Sequence, residues 1–182
     1  GGATTCRGVG LAVLVPPALE KDRCRLADYF TKMVGGDAPT VAWTRGFVAA
    51  DHVQRAVIAA EQGIKVINLS FVTDISFATT RAFRAGSGIA AWGGALRLNL
   101  LTSQVQERYP LFHAIKQLMG HLGGYRAVER VTLADPQARV YRIERPGGPV
   151  WVAWRDPKAV LLPGDVEPVL EIDLDVGAAR AN

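Results

Sequence analysis

The side chains able to do chemistry in this chain are few and scattered. His52, His113 and His121 all fall in helical patterns, and even the closest pair, His113 and His121, lacks an acidic partner at a ligand step, so no metal site is expected. No serine sits in a Gly-x-Ser-x-Gly elbow and the glycines lack phosphate-loop spacing. Neither an activated serine nor a nucleotide cradle gains support, and no cofactor is expected. Cys6 and Cys24 have no metal-ligand spacing, and whether they pair is left open. What remains is a group of polar residues along one apolar segment and the loop after it: Asn68, Ser70, Asp74 and Trp92. Asn68 and Ser70 either line a pocket or satisfy neighbouring backbone groups. Asp74 directly follows that segment and Trp92 lies within the loop, where capping a loop and sealing an apolar edge are the ordinary roles of such residues.

These residues depend on the elements around residues 47–74. Ala49, Val53, Ala56, Val57 and Ala60 recur at three- and four-residue steps, which predicts one face of a helix. Gly63 follows as its stop, and residues 64–71 then read as a strand apolar on both sides. Such a strand needs cover on both faces, which favours a parallel sheet clothed by helices. Upstream, residues 9–15 predict a short buried strand ended by Pro16 and Pro17, residues 19–34 a helix, and residues 39–43 a second short strand. Alternating elements with short links make an α/β layer with right-handed crossovers. Residues 72–103 hold no sustained period and read as a long loop on the ligand-binding side of the sheet. A helix returns over residues 109–122, with Leu111, Phe112, Ile115, Leu118, Met119 and Leu122 as its stripe.

Beyond Gly124 the period changes from helical to alternating. Residues 125–133, 138–145, 149–155 and 168–176 predict strands, with Val140, Ile143, Val150, Val152, Ile172 and Leu174 supplying one inner face. The division is therefore residues 1–124 and residues 125–182. A chain of 182 residues, 49% hydrophobic and 21% charged, can bury a sizeable core. Its net charge of +4 comes from arginines interleaved with acids, which suits a solvated face rather than a nucleic-acid groove. No apolar run reaches the length of a membrane span and no secretory signal is evident, so the compartment stays open.

The order of INLSF, a Gly-rich loop, YPLFHAIKQLMGHLGG and VYRIERPGGPVWVAWRDP resembles the C-terminal end of a (β/α)8-barrel glycoside hydrolase, with AADHVQRAVIAAEQGI similar to its seventh helix. The resemblance implies a partial (β/α)8 (TIM) barrel segment followed by a small antiparallel β-sandwich. Residues 9–15, 39–43 and 64–71 would be the sixth, seventh and eighth barrel strands. It further implies a carbohydrate ligand held by Asn68, Ser70, Asp74 and Trp92. Cleavage in that family needs two carboxylates about 5 Å apart, one after the fourth strand and one after the seventh. The fourth strand lies outside this chain, and the seventh would end in Trp43-Thr44-Arg45-Gly46, with Arg45 where the nucleophile belongs. Glu20 is the remaining upstream carboxylate, and its place in a helix's first turn suits a dipole partner as well as a catalyst. The expectation is a catalytically incomplete hydrolase-like segment; the alternative is a noncatalytic carbohydrate-binding or protein-interaction module. An open half-barrel would also expose sheet edges, so self-association or a missing N-terminal barrel segment is expected.

Overall fold

The computed structural model describes residues 21–65, 72–74, 85–99, 101–156 and 159–174. It is a mixed helix and sheet structure, in keeping with the α/β class in general. The predicted strand at 9–15, most of that at 64–71, and the candidates Glu20, Asn68 and Ser70 lie outside the described residues. So does Cys6, while Cys24, in the first turn of α1 (Arg23–Gly35), is disulfide-bonded.

The predicted strand at 39–43 is helical instead. It forms the first turns of α2 (Ala38–Glu61), a 24-residue helix. The reason is local. Asp37 caps the helix by accepting the backbone N–H of Thr40 at 3.1 Å and its hydroxyl at 2.6 Å. Pro39 sits in the first turn, where a missing N–H removes no helical hydrogen bond. The Thr44 hydroxyl donates back to the Thr40 carbonyl at 2.7 Å, so this buried polar group is satisfied inside the helix. Val41, Thr44 and Val48 are then buried at three- and four-residue steps, in phase with Ala56, Val57 and Ala60. At the far end Gly63 takes φ +76°, a left-handed conformation in which its N–H meets the Ala60 carbonyl and that of Ile64 the Ala59 carbonyl.

The stretch read as one long loop holds ordered pieces. A 3₁₀ turn at Gly88–Ala91 leads into β1 (Leu96–Leu98), which pairs antiparallel with β2 (Val105–Arg108), Arg97 lying opposite Glu107. Thr73 bridges to Leu96 in parallel, so residues 72–74 run alongside the hairpin. After Tyr109 the chain enters α3 (Pro110–Leu122). Leu111 is packed with Val48, Ala49 and Ala95 in one apolar cluster, whereas Met119 of the same predicted stripe is 70% exposed.

The C-terminal strands are β3 (Ala127–Val131), β4 (Ala138–Glu144) and β5 (Val150–Arg155), in antiparallel order β3-β4-β5. Val128, Tyr141 and Ile143 bury one sheet face with Val57 and Ala60 of α2, and Val53, Leu118 and Leu122 pack around them. Two expectations change here. Val140 and Ile143 are three residues apart on one strand and so point to opposite faces, which removes Val140 from the shared inner face. Residues 168–174 join no strand, so among the described residues there is one three-stranded sheet backed by helices rather than a sandwich. No helix among the described residues is long and apolar enough to cross a membrane.

The Asp37 cap has a pH signature. Its hydrogen bonds from Thr40 hold the carboxyl below its ordinary range. A depressed folded pKa stabilises the fold above the unfolded value and loses that effect as pH falls through the folded one. Asp37→Ala is expected to lower the melting temperature by a few degrees at neutral pH, with the gap to the unmodified chain closing in strong acid; an equal gap at both would count against the cap.

Candidate functional site

One cavity of about 570 Å³ gathers residues from several elements: Arg45 from α2, Asp74 from the bridging segment, Trp92 from the turn before β1, Arg97 and Glu107 from the hairpin, and Tyr109 at the start of α3. Arg45 is one of the residues that line it. The Nη2 of Arg45 donates to Asp74 Oδ2 at 2.5 Å, and its guanidinium carbon lies 3.5 Å from the centre of the Tyr109 ring and 5.8 Å from that of Trp92. A planar cation over an aromatic face is favourable, the more so where water is excluded. The Arg45 Nε is buried and finds no acceptor among the described residues.

Asp74 is almost wholly buried, its side chain only 4% exposed. A carboxylate in that position needs compensation, which it takes from Arg45 and from the Gly94 N–H, 2.8 Å from Oδ1. The same approach explains Gly94. A Cβ there would stand 2.1 Å from the Asp74 nitrogen and 2.3 Å from the Thr73 carbonyl carbon, and backbone atoms cannot give way. Trp92 is fixed from the other side, its indole N–H donating 2.9 Å to the Met33 carbonyl at the end of α1. Tyr109 is buried, which pushes its phenol above the ordinary range, while the Arg45 charge pulls the other way. The phenol is therefore protonated at neutral pH and available as a donor.

Of the sequence-derived candidates, Arg45, Asp74 and Trp92 meet in this cavity, while Glu20, Asn68 and Ser70 lie outside the described residues. Arg45 projects from within a helix, not from the end of a strand. Sequence reasoning missed Arg97, Glu107 and Tyr109. The signal was slight: the Tyr-Pro pair opening a helix and a four-residue strand before it. Among the described residues no group of His, Cys, Asp and Glu could hold a metal.

Gly94→Ala is expected to cost about 2–3 kcal/mol of stability, because the added methyl forces the Asp74 backbone away and takes the Gly94 N–H from its carboxylate. Chemical denaturation checks this, and a loss below about 0.5 kcal/mol would show that the close approach is not kept in solution. The meaning of the cavity rests on its own geometry: no family model matches this chain, and no curated protein or solved structure matches it either.

Proposed function

We propose that this cavity binds a carbohydrate without cleaving it, and that the chain corresponds to the C-terminal end of a (β/α)8-barrel glycoside hydrolase that carries an appended sheet. The observation that carries the reading is the composition of the cavity wall: the Trp92 ring beside planar, hydrogen-bonding Arg97, Asn99 and Glu107, with the Tyr109 ring beneath Arg45. Sugar rings have apolar C–H faces that pack on aromatic rings and hydroxyl edges that take up planar polar groups, so a mixed wall of this kind suits them. The order of α2, its glycine stop, the apolar segment at 64–71, α3 and an alternating sheet also supports the barrel resemblance. With residues 39–43 helical, the seventh-strand assignment is not part of that reading.

Binding without turnover is supported by how the described carboxylates of the cavity are used. Hydrolysis asks one carboxylate to donate a proton and a second, about 5 Å away in a retaining enzyme, to hold or attack the anomeric carbon. Asp74 is already committed to Arg45 and Gly94, and Glu107 sits on the exposed hairpin wall. Arg45 itself is cationic and cannot stabilise an oxocarbenium ion.

Two outcomes are expected. Trp92→Ala should weaken oligosaccharide binding about tenfold or more in calorimetry, through the loss of the stacking face; undiminished affinity would move the site elsewhere. Neither the unmodified chain nor Arg45→Glu should release aryl aglycone from a panel of aryl glycosides. Turnover by either protein would overturn the noncatalytic assignment.

A further inference from the structure

Resting on the carbohydrate reading, we infer that the ligand is an uncharged sugar, held by two adjacent hydroxyl groups between Arg97 and Glu107. The argument begins with the strand register. Arg97 and Glu107 are Cα partners in the antiparallel pair, so their side chains leave the same face of the hairpin. The Tyr109 N–H donates to the Ala95 carbonyl at 2.9 Å, which extends the ladder by one step and places Tyr109 on that face too. All three line the cavity. The two charges act on the Tyr109 phenol in opposite senses, Glu107 raising its pKa and Arg97 lowering it.

The charges of the wall then divide into two pairs. Arg45 and Asp74 neutralise each other in a buried contact. Arg97 and Glu107 remain, both exposed, and among the described residues neither has an ion-pair or side-chain hydrogen-bond partner. An exposed pair of this kind gains little by closing on itself, so both groups stay open to a ligand at small cost. A uronate carboxylate would meet Arg97 but be repelled by Glu107 from the facing strand, and an ammonium on an amino sugar would meet Glu107 but be repelled by Arg97. Adjacent hydroxyls satisfy both, because one donates its proton to the carboxylate while its neighbour accepts from the guanidinium. Both contacts are charge-assisted, and the sum of charge across ligand and wall stays at zero.

The test is calorimetric titration of the whole chain and of the Arg97→Gln and Glu107→Gln variants with three probe sets: neutral gluco-, xylo- and manno-oligosaccharides, oligogalacturonate, and chitosan oligomers. Both positions are exposed, and melting curves establish that the variants fold. The expected result is tightest binding of a neutral oligosaccharide by the unmodified chain, weakened about tenfold by either substitution. Oligogalacturonate should bind better to Glu107→Gln than to the unmodified chain, and chitosan oligomers better to Arg97→Gln, since each substitution removes one repulsion. A charged oligomer binding more tightly than every neutral one, or neutral binding indifferent to both substitutions, would overturn the hydroxyl-pair inference while leaving the carbohydrate reading in place. Absence of binding by all three probe sets would remove both.

Discussion

A carboxylate withdrawn from water governs the arrangement of this protein. Asp74 retains almost no contact with solvent, and an ionised group there is tolerated only if opposite charge and hydrogen-bond donors are delivered to it. Arg45 delivers the charge from α2 to one carboxylate oxygen, and Gly94 delivers a backbone N–H to the other. Three segments distant in sequence are thereby held within a few ångströms of one another. The requirement works in both directions: the guanidinium that satisfies Asp74 is itself packed over the Tyr109 ring, and the chain at Gly94 must lack a side chain to come close enough.

α2 converts that local constraint into architecture. At about 1.5 Å per residue its 24 residues make a rod of about 36 Å, long enough to contribute to two apolar clusters. Val48 and Ala49 pack with Ala95 and Leu111 beside the cavity, and Val57 and Ala60 pack with Val128, Tyr141 and Ile143 of the sheet. α3 contributes to both clusters as well, through Leu111 in one and Leu118 and Leu122 in the other. The cavity and the sheet therefore share their supporting helices, and the boundary suggested by the change of period near Gly124 is one of pattern; the packing continues across it.

How much of this was legible in the sequence depended on whether a signal was local. The helical face from Ala49 to Ala60 and the stop at Gly63 were readable because periodicity and a left-handed glycine are properties of a few adjacent residues. The first turns of α2 were not, because a five-residue run such as PTVAW suits a strand and a helix equally, and the Asp37 cap that decides between them lies just before it. β1 and β2, three and four residues long, are too short to show a period. At the site, Asp74 and Trp92 drew notice for their position after an apolar segment and Arg45 for standing where a carboxylate was expected. That Arg45 pairs with Asp74 is a tertiary fact with no sequence signature, and the same holds for Tyr109 beneath the guanidinium.

The tether on Trp92 bears on how a ligand would be discriminated. Because the indole N–H is directed to the Met33 carbonyl, that donor is engaged inside the protein and the ring is oriented before anything enters the cavity. Little rotamer entropy remains to be lost when a ligand settles on it, which favours affinity. A π face without its donor, however, responds to the C–H face laid on it, which axial hydroxyls interrupt, and takes no hydrogen bond from hydroxyls at the ring edge. Selection among those edge hydroxyls then falls to the hairpin, the part of the wall whose side chains still have unfilled hydrogen-bonding capacity.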